Sequence, residues 1–179
     1  MLRRYNIRLN PSKCAFRVSS GKFLGFMVSQ RGIKANPNKI QAILSMKPLK
    51  NVKEVQSLIG RVAALNRFVP KVTYKYLPFF RVLRKAFEWT NECQWIEDLK
   101  AYLTLAPLLS PSKSSEELYL YLAMSPYAMS SALIKEEGKV QKPVYYTSKA
   151  LRGAEGRYPS IEKLAFSLLI AARKLRPYF

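Results

Sequence analysis

Apolar residues change their spacing once along this chain, and that change constrains the fold more than any other feature. From Val52 through Val55, Leu58, Ile59, Val62, Leu65 and Val69 they recur at steps of three and four, one stripe of a helix. At Leu118, Leu120 and Leu122 they alternate with tyrosines, the period of a strand. Between the two patterns, Ala106 to Ser115 contains Pro107, Pro111 and four serines and reads as a linker.

Local signals fill in the rest. Cys14 to Val18 reads as extended, Ser19-Ser20-Gly21 as a turn, and Lys22 to Val28 as the returning strand. Asn36-Pro37 starts a helix that runs to about Met46. Asn51 caps the next, and Pro70 stops it. A third helix is expected around Tyr74 to Phe87, and a fourth, capped by Asn91, carries Trp95, Leu99 and Leu103. Beyond the linker, Met129 to Lys135 and Pro143 to Ser148 are strands about a turn at Glu136-Glu137-Gly138. A helix from about Pro159 to Leu175 places Leu164, Leu168, Ala171 and Leu175 on one face. The expected class is α+β: a hairpin and four helices, then three strands and one helix.

Charge narrows the partners. The 179 residues hold 31 Lys and Arg against 11 Asp and Glu, a net charge of +20. Twelve basic residues precede Glu54, the first acid. Residues 1–111 carry +15 of the net charge and 112–179 the remaining +5. Such a field concentrates a polyanion, so nucleic acid is the expected partner. No apolar run approaches a membrane span, and nothing resembles a signal peptide, so an intracellular chain without membrane contact is expected. There is no histidine, and Asp98 is the only aspartate. That removes Ser-His and Cys-His nucleophile pairs and leaves too few carboxylates to cluster two metals. Cys14 and Cys93 have neither disulfide-framework nor metal-site spacing.

Several strings, in order, resemble gypsy-type long-terminal-repeat retrotransposon reverse transcriptases. Leu9-Asn10-Pro11-Ser12-Lys13-Cys14-Ala15-Phe16 and Lys22-Phe23-Leu24-Gly25-Phe26 are similar to the end of the palm. Gln56-Ser57-Leu58-Ile59-Gly60-Arg61 and Leu65-Asn66-Arg67-Phe68 are similar to the thumb. Phe87-Glu88-Trp89-Thr90 matches the connector, and Pro143 to Leu151 with Glu155 to Tyr158 the ribonuclease H part. The resemblance implies three pieces: residues 1–50 as the end of the palm with a primer-grip hairpin, 51–111 as thumb and connector, and 112–179 as a truncated RNase H-like meander. It implies RNA–DNA hybrid or duplex nucleic acid, and the rest of a pol polyprotein, as partners.

It also assigns residues. Phe23, Leu24, Gly25 and Phe26 correspond to the primer grip. Gln56, Gly60 and Ala64, four residues apart and so on one helical face, correspond to the groove-tracking face of the thumb. Arg61 and Arg67 are expected phosphate contacts. Ala64 departs from the aromatic of the retroviral pattern.

The catalytic carboxylates do not carry over. Active relatives place a metal-binding Asp where Leu122-Ala123-Met124-Ser125 has Ala123, which offers a cation no oxygen. Glu162 is a lone remnant, suited to a first helical turn. No catalytic residue and no metal ligand set is therefore expected. Mg²⁺ is implied only for the intact family enzyme. Some plant gypsy-type lineages are similar in carrying a degenerate ribonuclease H ahead of a second one. The reading is a reverse-transcriptase fragment that grips template–primer without a polymerase or ribonuclease H centre. Its alternatives are activity as part of the full-length polyprotein, or a host-adopted basic RNA-binding module. Since the chain stops at Phe179, a fourth strand is expected to be missing and the strand at Leu118 to Leu122 to be left at an edge.

Overall fold

The structure, a computed structural model, describes residues 2–14, 16–47, 49, 51–71, 92–105, 108–113 and 115–178. The helix expected over 74–87 lies outside the described residues.

Residues 20–35 form an antiparallel meander of three strands, β1 (Ser20–Phe23), β2 (Phe26–Ser29) and β3 (Gly32–Ala35). The expected hairpin thus gains a strand, and its turn moves. Leu24 and Gly25 carry φ of 46° and 80°, the consecutive positive pair of a two-residue turn whose twist matches its strands. The chain reverses there and not at Ser19 to Gly21, while the described residues between Cys14 and Val18 belong to no strand.

Two of the three expected asparagine caps are seen, and the third, Asn91, lies outside the described residues. The Asn36 side chain accepts from the Asn38 N–H at 3.0 Å, opening α1 (Pro37–Leu44). Asn51 accepts from the Glu54 N–H at 2.9 Å, opening α2 (Val52–Ala63). Helix α2 ends well before Val69, yet Leu65, Phe68 and Val69 stay buried in the turns that follow. Burial outlasts the helix because those turns run on along the same core. With Leu99 and Leu103 of α3 (Glu92–Thr104), these residues join Ile43, Val55, Leu58 and Val62 in the larger core.

The stretch read as a linker is tied down on both sides. Ile33 and Leu109 exchange backbone hydrogen bonds at 2.9 and 3.0 Å, and the Ser110 N–H donates to Pro143 O at 2.8 Å. Gly32 is what lets this pairing close: a Cβ there would stand 2.1 Å from the Leu109 carbonyl oxygen, and its φ is +132°. Leu109 itself is buried in the larger core.

The second sheet is the meander β4 (Leu118–Met124), β5 (Ala128–Glu137) and β6 (Val140–Ala150), in that order, with β4 at an edge. Leu120 pairs with Leu133, and Leu133 with Tyr145, so the three share a face. Helix α4 (Ser160–Leu175) covers that face, burying Ala171 and Leu175 against Leu133 and Val144. Its inward positions are Lys163, Ser167, Ala171 and Leu175. Leu164 and Leu168, expected on the covered face, are 39% and 50% exposed. The α4 sequence is apolar over more of its circumference than the sheet covers, so composition alone misplaced the stripe. The architecture is α+β, as expected.

Candidate nucleic-acid interface

Helix α2 divides cleanly. Val55, Leu58 and Val62 are buried, whereas Gln56, Gly60 and Ala64 are all exposed on one stripe at four-residue spacing. A Cβ at Gly60 would meet nothing within 4 Å among the described residues. Packing inside this part of the molecule does not require a glycine there. What the missing side chain does provide is close access to the helix backbone from outside. Gln56 supplies an amide, both donor and acceptor, on the same stripe.

The hairpin set splits in two. Phe23 and Leu24 stand at the tip of the β1–β2 turn, 65% and 79% exposed. Leu24 holds a positive φ that a branched side chain rarely adopts, a strain found where surrounding structure or function demands it. Phe26 turns inward, its ring 5.7 Å from that of Phe68. The Lys39 ammonium lies 5.7 Å from the Phe26 centroid and 3.0 Å from where a Gly25 Cβ would be.

Both arginines have structural partners. Arg61, exposed on α2, donates to the Ala42 carbonyl of α1. Arg67 is half-buried where the two halves of the molecule meet: Nη2 donates to the Tyr178 hydroxyl at 3.0 Å, and its backbone carbonyl accepts from the Tyr146 N–H at 3.3 Å. Its guanidinium lies between Phe26 and Tyr145, 5.9 and 4.4 Å from their centroids. The sequence pattern carried no sign of this, because Tyr145 and Tyr178 are remote from Arg67 in the chain.

Ala123 sits near the end of β4, paired with Ser130. Glu162 is exposed in the first turn of α4. Among the described residues no group of three or more His, Cys, Asp or Glu could hold a metal ion. The described residues lining the cleft at Ala123 include no carboxylate. No helix among the described residues is long and apolar enough to cross a membrane.

The ionic groups of the second sheet form two clusters, one at the end far from Ala123 and one, Lys149 with Glu155, at the near end. Lys135, buried, is bound by Glu137 at 2.5 Å and Glu116 at 3.4 Å, and Lys142 also binds Glu137. The hydrogen bond from Lys135, then that from Lys142, pulls the Glu137 carboxyl down to about 2. Lys149 holds Glu155 at 2.5 Å and lowers its carboxyl too.

A family profile for the RNase H-like domain found in reverse transcriptases matches residues 89–179. The chain belongs to that family. This RNase H-like chain is 28% identical over 181 residues to Transposon Tf2-3 and Tf2-4 polyproteins of Schizosaccharomyces pombe, a match over 99% of its length. It spans 14% of those polyproteins. The structure of a foamy viral protease-reverse transcriptase in complex with dsDNA superposes with a TM-score of 0.72 at 26% identity, over 92% of this chain and 36% of that one. A second, in complex with RNA/DNA hybrid, has the same fold at 24% identity and a TM-score of 0.72, over 92% of this chain and 23% of that one. The RNase H-like chain is thus homologous to part of a long-terminal-repeat retrotransposon polyprotein. The α2 stripe and the β1–β2 tip lie outside the profile match but inside the stretch shared with the polyproteins.

Proposed function

We propose that this chain is the gripping part of a retrotransposon reverse transcriptase, holding template–primer duplex while carrying no polymerase or ribonuclease H centre of its own. Residues 1–50 would form the end of the palm with the primer grip, 51–111 the thumb and connector, and 112–179 the RNase H-like part. The observation that carries the reading is the exposed stripe of Gln56, Gly60 and Ala64 on a helix whose other face is buried. A flat stripe with one amide fits a minor groove, where acceptors are shared between base pairs and contacts tolerate any sequence. The exposed Phe23-Leu24 tip would press against the sugar–backbone of the primer end, with Gly25 keeping the turn tight. The net charge of +20 supplies the long-range attraction. That a solved relative is seen in complex with dsDNA supports the same partner class.

The absence of catalysis rests on Ala123 and on the solitary Glu162, which together supply one carboxylate to a reaction that positions two metals. The test is incubation with an end-labelled RNA–DNA hybrid in Mg²⁺ or Mn²⁺. The hybrid should be bound and left intact. Cleavage that disappears in Glu162→Gln would overturn the reading of inactivity, and failure to bind at low salt would overturn the gripping role.

A further inference from the structure

At the β4–β5 turn end of the second sheet there is a cleft of about 330 Å³. It is lined by Lys71, from the segment that follows α2, and by Ala123 to Ser125 and Ala128 to Ser130, from the β4–β5 end of the sheet. Two very different parts of the chain meet there. Among the described residues Lys71 is the one ionisable group lining it; it is exposed and none of them pairs with it as an ion. Ser130 is half-buried, and its hydroxyl makes no hydrogen bond among the described residues. Ser125 is different: its hydroxyl is used up locally, accepting from the Ala128 N–H at 3.0 Å and donating to the Ala128 carbonyl at 3.1 Å.

Register places the open groups together. Ala123 pairs with Ser130, so the Ala123 methyl and the Ser130 side chain are cross-strand neighbours on one face. Strand alternation puts them opposite Leu118, Leu120 and Leu122, which pack with α4. Tyr146, on the same outward face by its pairing with Ala132, packs against the larger core. The cleft thus lies where the first half of the molecule comes over the second. A methyl group at position 123 leaves room, and among the described residues the Lys71 ammonium has no ion-pair partner and the Ser130 hydroxyl no hydrogen bond. These groups suit an anion bearing several acceptor oxygens.

We infer that this cleft takes a backbone phosphate of the duplex, a contact distinct from the α2 stripe and further along the nucleic acid. The inference rests on the gripping role proposed above and adds a specific anchor to it. The position that the sequence aligns with a cation-binding carboxylate has become part of an anion site. Ala123 and Lys71 line the same cleft, so an acid at position 123 would lower the positive potential there, and Ala123 avoids that.

The test uses the full chain in EDTA with two labelled RNA–DNA hybrids. One is short, about 8 base pairs, and the other about 24, roughly 80 Å at 3.4 Å per step. Lys71→Gln should weaken the long hybrid roughly three- to tenfold and reduce its salt slope by about 0.9, the share of one phosphate. It should weaken the short hybrid less than the long one, since a short hybrid need not occupy the stripe and the cleft together. Lys139→Gln, at the exposed β5–β6 turn, serves as the charge-matched control and should affect neither. Ala123→Asp should weaken the long hybrid as Lys71→Gln does, with added Mg²⁺ giving no recovery, and the double variant should be no weaker than either alone. The inference is overturned if Lys71→Gln acts no differently from Lys139→Gln, or if Ala123→Asp tightens binding in Mg²⁺. Gln56→Ala separates the two claims. Should it weaken both hybrids while Lys71→Gln weakens neither, the grip stands and the cleft does not; should neither matter, the grip itself fails.

Discussion

The guanidinium carbon of Arg67 lies 4.4 Å from the centroid of the Tyr145 ring, and this stack joins the half of the molecule that carries α2 to the half that carries the second sheet. The same side chain bonds the Tyr178 hydroxyl. Against these gains stand two buried atoms that find no partner among the described residues, Arg67 Nε and Asn66 Oδ1, which offset part of the stabilisation.

Arg67→Ala should therefore cost about 1–3 kcal/mol, the sum of a partly desolvated cation–π contact and one hydrogen bond less the orphan penalty. Arg67→Lys should recover little of it, because an ammonium neither stacks as a plane nor spans both rings. Urea unfolding of both variants checks this. An unchanged midpoint in Arg67→Ala would show that the joint does not depend on the stack.

Gly32→Ala should be worse than any exposed-site change. Its Cβ would stand 2.1 Å from the Leu109 carbonyl oxygen at a φ of +132°. Backbone must move, the Ile33–Leu109 pairing must open, and a loss of at least about 2 kcal/mol is expected. Thermal unfolding measures it. A Tm within a degree or two of the parent (about 0.5 kcal/mol or less) would contradict the packing described.

Acid should weaken the second sheet before the first. Glu137 is held at about 2 by hydrogen bonds from Lys135 and Lys142, and Glu155 is lowered by its bond from Lys149. A carboxyl with a depressed folded pKa stabilises fully above its unfolded value and loses that contribution as pH falls through the folded one. Stability should thus decline from pH about 4.5 down to about 2. Glu137→Gln should flatten the decline. A pH-independent midpoint over that range would rule out the Lys135–Glu137–Lys142 cluster as its source.

Hydrogen exchange should separate the halves. β4 is an edge strand, so one of its backbone edges pairs with no other strand among the described residues. α2 packs Val55, Leu58 and Val62 at 1% exposure or less. Amides of β4 should exchange well before those of α2. Equal protection in a monomer would show that the smaller core stands by itself.

Much of this was legible from residue order alone. Asn36 and Asn51 cap because a short side-chain oxygen reaches the free N–H groups of a first turn, a local rule that needs no tertiary knowledge. The alternation at Leu118 to Leu122 is as local, and so is the apolar stripe of α2, whereas Gln56, Gly60 and Ala64 are singled out only by the family resemblance. Misplaced features were those that depend on partners distant in sequence. The turn went to Ser19 to Gly21 because serine and glycine favour turns, although Leu24-Gly25 makes the tighter reversal. Leu109 read as linker because prolines and serines flank it, and only Ile33 reveals its burial. Lys71 gave no signal, since the residues that line the cleft with it, Ala123 and Ser130, are remote in the chain.

The central claim is a grip on duplex through phosphates and a groove-facing helix, without a metal centre. Its most direct test is the affinity for a long RNA–DNA hybrid across a salt series, measured in EDTA. If about four to six phosphates are neutralised, log K should fall against log salt with a slope of about −4 to −5. Binding that needs Mg²⁺, or that hardly changes with salt, would contradict the account.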